Sequence, residues 1–136
     1  MTPHEAFARM SGRWLAGAPD DGDDLADDAV LEMPFAAPGR PTRVEGAANV
    51  CAFTAAGRAA FPGRFDECRT VAVHETADPD TIVVEYELGG TVGSHRAKAP
   101  FIGVLRVRDG KVVLWREYQD RTAIADAVTA GRAAAS

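Results

Sequence analysis

Hydrophobic residues recur along this chain with two different periods. Over residues 3–15, Ala6, Phe7, Met10, Trp14 and Leu15 fall at the spacing of one helix face, and Pro3 suits a first helical turn. Residues 17–24 are rich in Gly and Asp and read as a solvated acidic loop, with a short helix around 24–26. That loop lacks the ligand spacing and closing Glu of a calcium site. Residues 29–35 read as a strand that Pro34 ends or confines to an edge. A proline-rich loop, 36–41, leads to a short strand at 42–45 and a helix over 47–56 that Gly57 terminates. From Phe65 onward the period drops to two. Strands are predicted over 68–75, 81–88, 97–108 and 111–118. They are joined by a turn at Pro79, a bend or bulge at Gly89-Gly90 and an Asp109-Gly110 hairpin turn. A last helix is expected over 122–130, with a frayed tail at 130–136.

Helices segregated from a mainly antiparallel sheet define an α+β class. No linker or internal repeat divides the 136 residues, so one domain, 1–136, is expected. Gly and Pro bends in long strands predict a strongly curved sheet, and helices over its mouth would enclose a pocket.

Composition narrows the partners. The chain is 46% hydrophobic and 26% charged, ordinary for a soluble globular protein. Its net charge of -5 offers nothing to nucleic acid or an anionic membrane surface, and no apolar run has the length of a membrane span. Met1-Thr-Pro-His-Glu has no basic region followed by an apolar run, so no secretory leader and a cytoplasmic location are expected. Cys51 and Cys68 have neither C-x-x-C nor metal-ligand spacing and are expected as free thiols. No metal and no organic cofactor are implied. His4 and His74 are expected in solvent, and His95 near a pocket rim.

The candidate chemistry lies in residues 114–120, Leu-Trp-Arg-Glu-Tyr-Gln-Asp. Alternation puts Trp115, Glu117 and Gln119 on one face and Leu114, Arg116, Tyr118 and Asp120 on the other. If the first face looks inward, a carboxyl is held beside an indole in an apolar interior. Such a group has a raised pKa and can exchange protons near neutrality. The alternative leaves Glu117 on the surface, paired with an Arg, and buries only Trp115.

Several stretches carry a resemblance. They are Leu-Ala-Asp-Asp-Ala-Val-Leu-Glu-Met-Pro-Phe at 25–35, Val44-Glu45-Gly46, a helix containing Ala52-Phe53, Asp109-Gly110-Lys111 and Trp115-Arg116-Glu117-Tyr118. In this element order they resemble the NTF2-like (cystatin-like) cone of nuclear transport factor 2 and ketosteroid isomerase. Within that superfamily the chain is most similar to the SnoaL-like polyketide cyclases and the phenazine-biosynthesis A/B proteins. Phe61-Pro62, the run from His74 to Asp80, Val84-Glu85 and Arg116-Glu117-Tyr118 are similar to the latter group. The resemblance spans roughly residues 3–130. It implies a strongly curved mixed or antiparallel sheet, with the N-terminal and middle helices covering a pocket.

The resemblance also implies a face. Ile82, Val84, Tyr86 and Leu88, then Ala99, Phe101, Gly103 and Leu105, then Trp115, Glu117 and Gln119 would point into the cone. Glu85, Glu87, Arg106, Arg108 and Arg116 would point outward. The steroid isomerases carry their base immediately before the Pro-Phe that closes the first strand, where this chain has Met33. Their oxyanion-stabilising acid falls at about Gly103. Both carboxyls are missing, so the usual steroid-isomerase mechanism is excluded. An acid near the Arg-Glu-aromatic motif of the phenazine A/B proteins assists proton transfer, and it falls on Glu117.

The expected site thus has Glu117 as general acid/base. Tyr86 either polarises or orients a substrate oxygen, or is a core tyrosine bonded to Glu117. Met33, Phe35, Phe53, Ile82, Val84, Phe101, Trp115 and Gln119 would contact substrate, and Ala99 and Gly103 would leave room for it. The implied function is a cofactor-independent cyclase or isomerase acting on a hydrophobic, oxygenated small molecule such as a polyketide. The alternatives are a non-catalytic carrier and a protein-interaction module. A homodimer through the outer sheet face is expected, with no nucleic-acid or membrane partner.

Overall fold

The computed structural model describes residues 1–135. Helix α1 (Pro3–Ala16) opens on a capping box, in which the Glu5 N–H donates to the Thr2 hydroxyl and the Thr2 N–H to the Glu5 carboxylate. A 3-10 turn, Gly22–Asp24, leads into β1 (Leu25–Glu32). Then come β2 (Arg43–Glu45), α2 (Ala47–Ala60), β3 (Gly63–Glu75), β4 (Thr81–Val92), β5 (His95–Arg108), β6 (Lys111–Gln119) and α3 (Arg121–Ala135). The strands form one curved sheet in the order β2-β1-β6-β5-β4-β3. β1 and β6 run parallel and every other neighbouring pair antiparallel, so the sheet is mixed. The fold is an α+β cone.

Alternation decides which side of the sheet each residue serves. Ile82, Val84 and Tyr86 of β4, Leu105 and Val107 of β5, and Trp115 of β6 are buried on the inner face, against Ala6 and Phe7 of α1. Burying each large apolar side chain contributes about 1.5–3 kcal/mol. The outer face carries charge pairs across neighbouring strands, such as Arg69 with Glu87 at 3.6 Å and Arg116 with Glu32 at 3.3 Å. Exposed pairs of this kind contribute about 0–1 kcal/mol each, so the inner face dominates stability.

Boundaries differ from the pattern where the period is broken. β1 begins at Leu25, because its pairing with β6 shifts register between Leu25 and Val30 and leaves Asp27 and Asp28 both exposed. It ends at Glu32, which puts Phe35 outside the strand. α2 runs through Gly57, which faces open space, and stops before Pro62, which cannot continue a helix. β4 passes straight through Gly89-Gly90, and the bulge falls instead on β3, between Phe65 and Glu67. Asp109 and Gly110 have φ of 51° and 76°, the paired positive values of a tight two-residue hairpin turn.

The acidic stretch is tied down rather than simply solvated. Arg9 reaches Asp24 at 3.0 Å, and Arg13 bonds both Asp21 and Asp24. At the other end α3 continues past residue 130, to Ala135. Gly131 is buried where the helix crosses β4, and a Cβ there would collide with Val92. The predicted frayed tail falls in part on Ser136, which lies outside the described residues.

Candidate active site

Trp115, Glu117 and Gln119 are successive inward positions of β6, and their side chains meet at the Glu117 carboxylate. Gln119 Nε2 donates to Glu117 Oε1 at 2.5 Å, and Trp115 Nε1 to Oε2 at 3.3 Å. The Tyr86 hydroxyl donates to Oε2 at 3.0 Å. Tyr86 stands on β4, two strands away, and its reach crosses β5. The register sets Gly103 beside Glu117 and Val84, so β5 presents no side chain at that level.

These three bonds favour the ionised carboxylate, but burial favours the neutral acid. Burial wins: it raises the Glu117 pKa above the usual carboxylate value, although the bonds from Gln119, Tyr86 and Trp115 pull it down. The charge of Asp20 adds a smaller upward push. Burial also drives the Tyr86 phenol well above its usual value, with Glu117 adding to it, so Tyr86 remains a donor. Glu117 is half-buried and borders a cavity of about 480 Å³.

The cavity occupies the open end of the cone. Of the expected contact residues, Met33, Phe53, Phe101, Trp115, Glu117 and Gln119 line it. Phe35 does not. It is 58% exposed and packs edge-on against Tyr118 at 5.3 Å, because β1 ends before it. Ile82 and Val84 point inward but are buried in the core, away from the wall of this cavity. Tyr86 is covered as well. Its ring stacks on Phe101 at 5.3 Å and on Trp14 at 5.5 Å, and its hydroxyl is bonded to Glu117. Gly103 leaves no room for ligand, since the Trp115 indole occupies the space where a side chain would begin.

Other lining residues were not assigned from the sequence. Met10 and Trp14 come from α1, Asp20 from the loop behind it, and Ile124 and Ala127 from α3. The helical spacing of Met10 and Trp14 signalled an inward face, without saying that it would meet a cavity. α3 gave no signal, because the pattern describes its amphipathic face and not the surface that face covers. His95 is absent from the wall, and the His74 ring nitrogen lies 2.6 Å from Glu85 on the outer face. Cys51 and Cys68 are free thiols. Among the described residues no cluster of His, Cys, Asp and Glu could hold a metal ion, and no helix is long and apolar enough to cross a membrane.

Residues 5–115 match the model of the SnoaL-like domain, and the chain belongs to that family. An uncharacterized PhzA/B-like protein of Pseudomonas aeruginosa is 37% identical over 93 residues, 67% of this chain and 64% of that protein. The match thus spans less than two thirds of that relative's length. A Bacillus subtilis protein provisionally assigned as an isomerase superposes with a TM-score of 0.76 at 23% identity, covering 95% of this chain and 96% of that one. A phenazine biosynthesis-related protein of Pseudomonas aeruginosa superposes with a TM-score of 0.69 at 17% identity, covering 93% and 84%. At these identities the two structures speak for the fold alone.

Proposed function

We propose that the chain is a cofactor-independent acid/base enzyme of the cyclase or isomerase type. Its substrate is a hydrophobic, oxygenated small molecule such as a polyketide or aromatic secondary-metabolite intermediate. The observation that carries this reading is Glu117, a carboxyl with a raised pKa at the wall of an otherwise mainly apolar cavity. Ionised, it can take a proton from carbon next to a carbonyl; protonated, it can return one to the resulting enolate. Tyr86 acts through Glu117 as a positioning residue, fixing the carboxyl from a site the ligand does not touch. Gln119 has its amide N–H on Glu117 and offers its carbonyl oxygen to a substrate. Family membership agrees with the class: structures of this fold include proteins provisionally assigned as an isomerase and as a SnoaL-like polyketide cyclase. The protein acts as a single domain in the cytoplasm. It pairs as a homodimer through the outer sheet face, where Ile102 is exposed.

Screening polyketide-like carbonyl compounds for cyclisation or isomerisation tests the reading. Glu117→Gln should lower turnover roughly 10²- to 10⁴-fold while leaving substrate affinity within a few-fold. Unchanged turnover would favour a carrier. That second reading has one observation behind it: Tyr86 and Gln119 both aim their donors at Glu117 and not into the cavity.

A further inference from the structure

The cavity mouth carries a charge pattern that proton transfer at Glu117 does not use. Arginines of the outer sheet face, such as Arg69, Arg96, Arg106, Arg108 and Arg116, each lie within ion-pair distance of a carboxylate. The cavity wall includes Arg40, Arg58 and Arg121, and among the described residues none of these pairs with a carboxylate; Arg64 also borders it, but its register opposite Thr91 turns its side chain to the outer face. Arg40, Arg58 and Arg121 come from three parts of the chain: the loop before β2, the last turn of α2 and the first turn of α3. In a chain of net charge -5, unpaired cations are gathered where the cavity opens.

Ordinary structural duties account for some of this. Arg58 donates to the Ala18 carbonyl and suits the negative end of α2. Arg40 lies over the Phe53 ring, 5.8 Å from its centroid, so it leans on a residue that itself lines the cavity. Arg121 has no such explanation. It stands at the positive end of α3, where the helix dipole disfavours a cation. Against these cations the wall sets two acids, Asp20 and Glu117.

We propose that this cavity selects an amphipathic anion: an apolar or aromatic body seated against Phe101 and Trp115, with a carboxylate held at the mouth by Arg40 and Arg121. The proposal rests on the reading of the cavity as the ligand site. A guanidinium presents paired donors that match a carboxylate, and it stays charged at any pH the protein meets. Anchoring the anion at the mouth also keeps it away from Glu117, beside which a second negative charge would be unfavourable. The opposite end of the ligand then faces the acid.

Two fluorescent probes of similar body test this: anilinonaphthalenesulfonate, an anion, and phenylnaphthylamine, its uncharged counterpart. The Arg40→Gln/Arg121→Gln double variant should bind the anionic probe roughly three- to tenfold more weakly, the size expected from two exposed ion pairs. Binding of the neutral probe should not change. Added salt should weaken the anion's binding to the wild type more than the neutral probe's. Equal losses for both probes, or no loss for the anion, overturn the proposal. Ala99→Trp separates this failure from that of the cavity reading. If it abolishes neutral-probe binding while charge proves irrelevant, only the anion preference falls. If it leaves neutral-probe binding intact, the probe is not in the cavity and both readings fall.

Discussion

The two ends of the cone are built from the same three strands and behave oppositely. At the closed end Ile82 and Val84 of β4, Leu105 and Val107 of β5, and Val112 of β6 are packed together in the core. A few residues further along, Leu88, Ala99, Phe101, Glu117 and Gln119 face the same way and border a cavity of about 480 Å³. Between them lies an aromatic floor in which Tyr86 contacts Phe7, Trp14, Phe101 and Trp115 at centroid distances of 5.3 to 6.2 Å. Strand alternation therefore sets direction but not depth. What divides core from site is the height along the strand at which helices stop filling the cone.

Truncating one leucine at each end is the strongest test of that division. Leu105 is 0% exposed, so Leu105→Ala loses its transfer energy and leaves a hole, for about 3–5 kcal/mol in all. Leu88 already borders open space, so Leu88→Ala should cost about 2 kcal/mol, close to the transfer term alone. Urea unfolding of both variants measures the gap. Equal losses would mean that the open end is packed like the closed one, and the contrast would be broken.

This division also marks how far the sequence could be read. The sheet, its inward faces and the Trp115-Glu117-Gln119 row follow from period-two alternation, and they were legible. Phe35 was misplaced because a strand end three residues earlier than expected moves a side chain out of the cone. Ile82 and Val84 were misplaced for a different reason: they point the right way at the wrong height. Gly103 read as vacancy, but its missing side chain is the seat of the Trp115 indole, which is a contact between strands that one-dimensional spacing cannot express. The rim arginines were invisible for the converse reason. In sequence they look like the arginines of the outer face, and only the fold separates those with carboxylate partners from those without.

Two carboxyls sharpen the comparison through pH. Glu117, raised chiefly by burial, holds its proton to higher pH in the folded protein than in the unfolded chain. The stability it contributes is therefore complete below the unfolded pKa and is lost as pH rises through the folded one. Asp24 behaves oppositely. Burial pushes it up, but the bonds and charges of Arg9 and Arg13 outweigh this and hold it below its usual value. Its contribution is present above the unfolded pKa and lost as pH falls. Thermal melts from about pH 3 to about pH 8 should show the wild-type advantage over Glu117→Gln shrinking with rising pH, and that over Asp24→Asn growing. Slopes of the same sign would remove Glu117 from its dry setting.

Tyr86→Phe isolates the smallest contribution, a single hydrogen bond across the boundary between floor and cavity. The ring keeps its stacking on Phe101 and Trp14, so the packing of the floor is retained. What is lost is one donor to Glu117 Oε2, at a cost of about 0.5–1.5 kcal/mol in unfolding free energy. That donor favours the ionised carboxylate, so its removal should move the Glu117 pKa further upward. A carbon-detected NMR titration of the Glu117 carboxyl reads the shift directly, with Glu117→Gln identifying the resonance. An unmoved midpoint would mean that Tyr86 belongs to the floor alone, and that the bonds from Trp115 and Gln119 set the acidity of Glu117 without it.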